Sequence, residues 1–341
     1  MVRAAALVIA GALACVLGLE ALFHVLPVST YTDVGYHIDP RILTYRPGHA
    51  FRLSWGWNLE NPLRQQANNL GFLSERDFTP DPRALGLIGD SFVDASMLPR
   101  GERVGDQVQK VLGARPVYAM GGPGSSLLDY AERMRYASEK LAVRDFVIVL
   151  ETGDIKQVYC GSGNIHAPCL DRKTGEARVE TQPPPSSLKL VLRHSAFLQY
   201  MLGHLRFDPA ARLARAFAAP PASRPTGGRS YWTGMTEGDI DRIVGEFFER
   251  VAPYRKGRLM FVLDSDRLAM NRGDATPDPL REHLMDALRS RGAEVLDLAP
   301  VFARYVEETG YHLEISPHDG HWNARATRLV AEAVATALAR Q

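Results

Sequence analysis

Apolar and polar positions divide the chain into three stretches of different character. The first, residues 1–27, is almost continuously apolar and carries no charge from position 4 to position 19. The second, residues 28–82, is rich in aromatic residues, Pro, Asn and Gly and shows no helical period, which predicts irregular and β structure. In the third, residues 83–341, short apolar runs alternate with amphipathic spacings, the pattern of alternating strands and helices.

The third stretch predicts a parallel sheet covered by helices. Strands that are joined through helices form parallel sheets with right-handed crossovers, so we expect a five-stranded sheet in a three-layer α/β/α domain. The expected strands are Ala84 to Ile88, Arg115 to Met120, Asp145 to Leu150, Arg258 to Leu263 and Glu294 to Leu298. The expected helices are Val104 to Leu112, Leu127 to Leu141, Leu188 to Leu205, Thr236 to Tyr254, one that opens at Asp278-Pro279, Pro300 to Glu308 and Ala324 to Ala339, with a loop at Phe217 to Arg229.

Two tryptophans stand out in the second stretch. Trp55 and Trp57 lie two positions apart, among short extended pieces. Aromatic side chains mostly serve as packing area, so we expect both to pack this stretch onto the rest of the protein. The alternative is that they stack on sugar rings.

The first stretch predicts a membrane anchor. Arg3 precedes the apolar run and no Lys or Arg follows until Arg41, which places the N-terminus in the cytoplasm. We expect an uncleaved single-pass helix in the inner (cytoplasmic) membrane, with residues 28–82 as an extension and residues 83–341 as a catalytic domain in the periplasm or outside. A cleaved signal peptide and a lipoprotein signal ending at Cys15 are the alternatives, and both also export the remainder of the chain.

The cysteines predict one disulfide. Of the three in the chain, Cys15 lies in the apolar stretch, and Cys160 and Cys169 frame a short loop. In an oxidising compartment this pair is expected to form a disulfide that closes the loop. Metal binding is the alternative, but with only His166 nearby the pair lacks the usual four-ligand spacing.

A candidate nucleophile follows the first expected strand. Gly89-Asp90-Ser91 ends that strand in a turn that can lift the Ser91 hydroxyl above the carboxyl edge of the sheet, where open α/β sheets bind ligands. A serine needs a base that is oriented by a third group. Asp319 and His321, just before the last expected helix, offer such a pair, provided that the two ends of the domain meet.

These motifs resemble the SGNH (GDSL-type) hydrolase family. The resemblance rests on Gly89-Asp90-Ser91-Phe92 and on Asp-x-His before the last helix, and it covers roughly residues 70–340. The stretch from Asn68 to Phe72 also resembles members attached to envelope polysaccharide systems. The resemblance implies a flavodoxin-like sheet with Ser91 as nucleophile, His321 as general base and Asp319 orienting the imidazole; His318 is a rival base.

The same resemblance implies an oxyanion hole with one departure. Its donors in the family are the nucleophile's N–H, matched by Ser91, a glycine N–H, matched by Gly124, and an asparagine side chain. Gly153 occupies the asparagine position, so one side-chain donor is missing, and the loss of such a donor costs about 2.7–4 kcal/mol of transition-state stabilisation. Another side chain, or the N–H of Gly153 or Asp154, would have to replace it; the Asp154 carboxylate is expected to be structural, since its charge would oppose an oxyanion.

The expected function is acyl-ester chemistry outside the cytoplasm. The resemblance implies a serine esterase that removes O-acyl, in particular O-acetyl, groups from carbohydrate. An O-acetyltransferase acting on an envelope or secreted polysaccharide is the first alternative. The second alternative is a catalytically silent scaffold subunit that binds polysaccharide biosynthesis or export proteins. A net charge of +1 gives no reason to expect nucleic acid, and no metal or nucleotide motif is present, so no cofactor is expected.

Overall fold

The computed structural model describes residues 2–162, 168–205, 232–271, 278–316 and 319–340. His166, His318 and the loop expected at residues 217–229 lie outside the described residues. The chain forms two compact units, each treated by itself below. The helix–hairpin unit comprises Met1–Asp33, Ala50–Gln66 and Pro183–Gly228, and the sheet unit comprises Val34–His49, Ala67–Gln182 and Arg229–Gln341. The linear division at residues 27 and 82 stays a prediction.

The described residues form the following elements. The strands are β1 (Val34–Asp39), β2 (Ile42–Tyr45), β3 (Ala50–Trp55), β4 (Glu60–Gln66), β5 (Leu85–Gly89), β6 (Val117–Gly121), β7 (Asp145–Leu150), β8 (Pro168–Leu170), β9 (Ala177–Val179), β10 (Leu259–Leu263), β11 (Glu294–Asp297), β12 (Glu314–Ser316) and β13 (Asp319–Trp322). The helices are α1 (Val2–Val25), α2 (Ser91–Asp94), α3 (Val104–Leu112), α4 (Leu127–Lys140), α5 (Thr152–Lys156), α6 (Ser187–Leu192), α7 (Ala196–Gln199), α8 (Glu237–Val251), α9 (Arg267–Asn271), α10 (Pro279–Ser290), α11 (Ala299–Thr309) and α12 (Ala324–Ala339). A π-helical turn follows α7, and a 3₁₀ turn at Ala252–Tyr254, which contains Pro253, follows α8.

The sheet unit is built on five parallel strands in the order β11-β10-β7-β5-β6. Read from the β6 edge, with the five strands numbered by their order in the chain, this order is 2-1-3-4-5. That is the flavodoxin-like arrangement, so the predicted fold class is confirmed. The order reverses between β5 and β7. Ligands of open α/β sheets bind beyond the carboxyl ends of the strands at such a reversal, and β5 leads directly into the Ser91 turn there.

Helices cover both faces of the sheet because its strands alternate their side chains. On β7, Phe146, Ile148 and Leu150 belong to a buried cluster with residues of α4, α8 and α10. Val147 and Val149 belong to a second cluster with residues of α3, α11 and α12. A period of two along a strand directs neighbouring side chains to opposite faces. Both faces of the central strand are therefore buried, as a continuous apolar run predicts.

Glycine at the carboxyl edge lets α2 pack onto the sheet. A Cβ on Gly121, the last residue of β6, would lie 2.0 Å from the backbone nitrogen of Asp94. A Cβ on Gly89, at the end of β5, would lie 2.5 Å from the Val93 side chain. Any larger residue at either position would push α2, and with it Ser91, away from the sheet edge.

The helix–hairpin unit contains α1, the antiparallel β3–β4 hairpin and the segment that carries α6, α7 and the π-helical turn. The prediction of a single helix from Leu188 to Leu205 is wrong, because the helix ends at Leu192 and a second one, α7, begins at Ala196. Ser195 starts α7 as its cap, accepting a hydrogen bond from the Leu198 N–H at 3.1 Å. Serine favours such caps over helix interiors, which explains the break.

Candidate active site

Ser91 occupies the first position of α2, immediately beyond β5. The helix is capped by Asp90, whose Oδ1 accepts a hydrogen bond from the Phe92 N–H at 2.9 Å. The other carboxylate oxygen, Oδ2, lies 3.1 Å from Ser91 Oγ. The Gly-Asp-Ser motif therefore has a local structural reason: glycine permits the packing, aspartate caps the turn, and serine follows at the sheet edge.

The β12–β13 hairpin brings the other end of the domain to this serine. His321 Nε2 lies 2.8 Å from Ser91 Oγ, across 230 positions of sequence. On the far side of the ring, Nδ1 lies 2.5 Å from Asp319 Oδ1, which also accepts the His321 backbone N–H at 3.1 Å. Asp319 thus fixes both the ring and the backbone of the histidine. The three residues expected to form a triad are adjacent and linked in the expected order.

The electrostatics of this chain favour a basic imidazole. The hydrogen bond from His321 holds the pKa of Asp319 below its usual range. Burial opposes a charge on His321, but the hydrogen bond and charge of Asp319, with the charge of Asp90, outweigh it and raise the pKa of the imidazole. A carboxylate on Nδ1 leaves the Nε2 lone pair facing the hydroxyl, so the arrangement can accept the Ser91 proton.

Gly124, an expected oxyanion donor, lies on a loop fixed by a buried arginine. Gly124 has φ +68°, a conformation that favours glycine. Arg133 is 1% exposed; its guanidinium donates to the carbonyl of Gly89 at 3.0 Å and to Ser125 Oγ at 2.6 Å. The Gly122 N–H also donates to the Gly89 carbonyl, at 3.2 Å. These bonds join the loop after β6 to the end of the strand that precedes Ser91.

Gly153, the third expected donor, is engaged elsewhere. Its N–H donates to Glu151 Oε2 at 2.6 Å, at the start of α5. A Cβ at this position would lie 2.5 Å from that same oxygen and 3.5 Å from Gln157 Nε2. The Gly153 N–H can serve an oxyanion only after the bond to Glu151 is broken, so its role stays a prediction.

Buried acids surround this part of the sheet edge. The Asp154 carboxylate is fully buried and accepts hydrogen bonds from the Glu151 N–H and the Tyr130 hydroxyl, both at 2.8 Å. These contacts give Asp154 the structural part expected of it. Burial, together with the charges of Asp264 and Asp90, raises the pKa of Glu151 to about 8. Burial likewise raises the pKa of Asp154 well above its usual range.

Sequence patterns miss the residues that hold the histidine hairpin. Arg267 and Asp264 follow β10 and are 6% and 5% exposed. Arg267 donates to the Gly320 carbonyl and to Asp264 Oδ1, and that oxygen also accepts the Trp322 indole N–H at 3.0 Å. The residues on both sides of His321 are therefore tied to β10. The sequence offered one signal for these residues, which is that the acidic Asp264 directly follows the apolar strand β10.

The predicted disulfide is present. Cys160 and Cys169 are bonded, and Cys15 is free and exposed. Their sulfurs are bonded to each other, so the pair offers no thiolate to a metal. The bond closes a loop of which residues 163–167 are outside the described part of the chain.

Comparison with known proteins gives similarity in fold only. No protein-family model and no curated protein sequence matches the chain. A member of the lipolytic protein G-D-S-L family from Veillonella parvula is 13% identical, over 76% of this chain and 99% of that one, with a TM-score of 0.42. An α/β hydrolase enzyme from the metagenome of Lake Arreo is 15% identical over 77% and 99%, with a TM-score of 0.43. A lipase/acylhydrolase from Enterococcus faecalis is 11% identical over 75% and 95%, with a TM-score of 0.38.

The names of these structures describe hydrolytic enzymes, and the first carries the name of the family that the sequence motifs resemble. At such identities and TM-scores the likeness carries no argument about substrate or reaction. The class of fold rests instead on the strand order, and the candidate active site rests on the distances between Ser91, His321 and Asp319.

Proposed function

We propose that the protein is a serine esterase that removes O-acyl groups, in particular O-acetyl groups, from a carbohydrate outside the cytoplasm. The observation that supports it most is the hydrogen-bonded series Asp319–His321–Ser91, with contacts of 2.5 and 2.8 Å. That series meets the geometric requirement for an activated nucleophile, a base within hydrogen-bond reach that is itself oriented by a third group.

In the proposed mechanism, Ser91 Oγ attacks the acyl carbon while its proton passes to His321 Nε2. The developing oxyanion meets the N–H groups of Ser91 and Gly124, and the imidazolium returns its proton to the departing sugar hydroxyl. Water then attacks the acyl-serine with His321 as base, which releases the carboxylic acid and restores Ser91. Transfer to a second sugar hydroxyl uses the same acyl-enzyme with a different attacking group.

We place this chemistry outside the inner membrane because of two features. α1 is the one helix among the described residues long and apolar enough to cross a membrane, with mean hydropathy 2.3 and no buried residue in its apolar window. A signal sequence passes the same test. The Cys160–Cys169 disulfide is typical of exported proteins. The proposal takes α1 as an uncleaved anchor.

The test is product analysis on an acetylated oligosaccharide, with and without an unacetylated acceptor. We expect the full chain to release acetate, and Ser91→Ala and His321→Ala each to abolish release. Members of a triad act as a unit, so the double variant should be no worse than either single variant. Acetate release by Ser91→Ala, or effects that multiply, would contradict the assignment. Acetyl groups found on the acceptor would identify a transferase, and an inert wild type would favour the scaffold alternative.

A further inference from the structure

Glu20, the one acidic residue of α1, fixes a second segment of the helix–hairpin unit to that helix. Its carboxylate accepts hydrogen bonds from Ser195 Oγ at 2.6 Å and from the N–H groups of Ala196 and Phe197 at 2.8 and 3.1 Å. These groups form the start of α7, where N–H groups otherwise lack partners. The acidic residue that interrupts the apolar helix therefore serves to dock α7 on it.

Ring stacking strengthens the same contact. Phe23, one turn beyond Glu20 on α1, stacks on Tyr200 and on Phe197, with ring centroids 4.4 and 5.9 Å apart. Both partners belong to α7 and the π-helical turn that follows it. The docking thus combines a charge-assisted cap with aromatic packing, and it fixes the segment from 195 to 204 along the last turns of α1.

The position of Glu20 sets the depth of this docking site in a bilayer. A helix of 24 residues is about 36 Å long, against a hydrocarbon core of about 30 Å. The uncharged residues 4–19 account for most of that core. Glu20 then lies near the boundary between acyl chains and headgroups on the outer side. α7 lies at that boundary with it.

The docked segment and its flanks, α6 before it and Leu205 after it, expose apolar side chains that a soluble protein would bury. We call them the flanking apolar patch. Its members are Leu188 (67% exposed), Val191 (70%), Leu192 (41%), Leu202 (58%) and Leu205 (41%). The first three occupy positions i, i+3 and i+4 of α6 and so share one helix face. An exposed apolar helix face of this kind marks an interaction site.

Trp57 lies next to one member of the patch, because it lines the same cavity as Leu205. It is 70% exposed on the β3–β4 turn, and its carbonyl accepts the Tyr200 hydroxyl at 2.7 Å. Packing therefore does not explain this tryptophan. Indole side chains are enriched where membrane meets water, which suits a residue tied to the end of a membrane helix.

We infer that the flanking apolar patch lies in the surface of the lipid bilayer around α1. The inference rests on the proposal that α1 stays attached as a membrane anchor. The apolar side chains and Trp57 enter the acyl boundary, while Lys189 of α6 extends to the phosphate headgroups, as in interfacial amphipathic helices. The lipid surface is the occupant because α6 ends only three residues before α7, and α7 is fixed to α1 at the depth where the bilayer ends.

The experiment places one environment-sensitive fluorophore at each of three positions of the full chain. The first is the native Cys15 in α1. The second and third are Val191→Cys and Val111→Cys, each combined with Cys15→Ala, while the Cys160–Cys169 disulfide stays intact. Val111 is an exposed valine of α3 in the sheet unit and serves as the matched control. The protein is reconstituted in phosphatidylethanolamine–phosphatidylglycerol vesicles, with or without brominated acyl chains, and also exposed to iodide.

We expect the Cys15 and Val191→Cys probes to be quenched by brominated lipid and the Val111→Cys probe by iodide only. If the Cys15 probe is quenched by lipid while the Val191→Cys probe behaves like Val111→Cys, the anchor stands and the inference is wrong. A Val191→Cys probe shielded from both quenchers would mean that protein covers the patch, which also overturns it. A Cys15 probe outside the lipid would overturn the anchor and this inference together, and would leave the esterase proposal intact.

Discussion

Ser91 has one hydroxyl proton and two acceptors within reach. His321 Nε2 lies at 2.8 Å and Asp90 Oδ2 at 3.1 Å. Burial raises the pKa of Asp90, and the charge of His321 and the hydrogen bond from Ser91 oppose that rise. As a carboxylate, Asp90 accepts the hydroxyl proton in competition with His321 and adds a negative charge beside the imidazole. The residue that caps α2 therefore also influences how often the hydroxyl faces the histidine.

The first prediction concerns the pH dependence of ester cleavage. Catalysis needs neutral His321, so kcat/KM should rise with pH through an inflection above the ordinary histidine value of about 6.5. The charged groups that act on His321 are Asp319, Asp90 and Arg267. Asp90→Asn keeps the cap and removes one negative charge, so the inflection should move to lower pH. Profiles of both proteins on an acetyl ester provide the measurement, and an inflection that stays in place would show that Asp90 does not act on the imidazole.

A larger side chain at position 153 is hindered by the Glu151 side chain and not by the backbone conformation of Gly153. It lies in the helical turn α5, outside the left-handed region, so a side chain causes no backbone strain. The obstacle is Glu151 Oε2, 2.5 Å from the position of a Cβ. A substitution here must displace the end of one flexible side chain and break the bond to the Gly153 N–H.

The second prediction compares Gly153→Asn with Gly153→Ala. Both displace Glu151, but only asparagine adds a side-chain amide to the oxyanion side. If hydrolysis is limited by too few donors, Gly153→Asn should exceed Gly153→Ala by about tenfold in kcat/KM, equivalent to about 1.4 kcal/mol. Steady-state rates at matched thermal stability supply the test. Equal rates in the two variants would mean that position 153 does not face the oxyanion.

At the scale of elements, the strands and helices of the sheet unit could be predicted from the sequence. The long-range side-chain hydrogen bonds that join elements to one another could not. Apolar runs and amphipathic spacing are local signals, and they locate β5, β7 and α12 within a residue or two. Arg267 joins β10 to the β12–β13 hairpin only because the sheet order places these segments together. Glu20 joins α1 to the start of α7, 175 positions away in the sequence, so no local pattern could predict that contact.

The third prediction uses the buried cap of α5. The pKa of Glu151 is about 8 in the folded chain, against 4.5 for the free side chain. Between these values the native state keeps a proton that the unfolded state has lost, so stability falls as pH rises, by at most about 1.4 kcal/mol per pH unit. Glu151→Gln keeps an acceptor for the Gly153 N–H and does not titrate. Its melting temperature should therefore fall less than that of the wild type between about pH 5 and about pH 8.

The measurement is thermal unfolding in detergent at several pH values. Asp90 and Asp154 remain in both proteins, and burial raises their pKa values too, so part of the loss should persist in the variant. Parallel curves for wild type and Glu151→Gln would show that Glu151 ionises normally in the folded protein.

At the scale of the whole molecule, the candidate site requires both ends of the sheet unit. Ser91 follows the first strand of the sheet and His321 precedes the last helix, and the fold of the sheet unit brings the two side chains to 2.8 Å. The sequence allowed us to predict that Ser91 and His321 lie close together, because a serine nucleophile needs a general base within hydrogen-bond reach. The buried arginines and acids that support it could not be predicted, since burial of a charged side chain arises from long-range packing.

The most direct test of the central claim is labelling of the full chain with a fluorophosphonate, followed by mass spectrometry of the modified peptide. An activated serine is expected to react where an ordinary serine does not. We predict modification at Ser91 in the wild type and none in Ser91→Ala, with strongly slowed modification in His321→Ala. Absence of labelling at Ser91 in the folded wild type, or undiminished labelling in His321→Ala, would contradict the proposal that His321 activates Ser91.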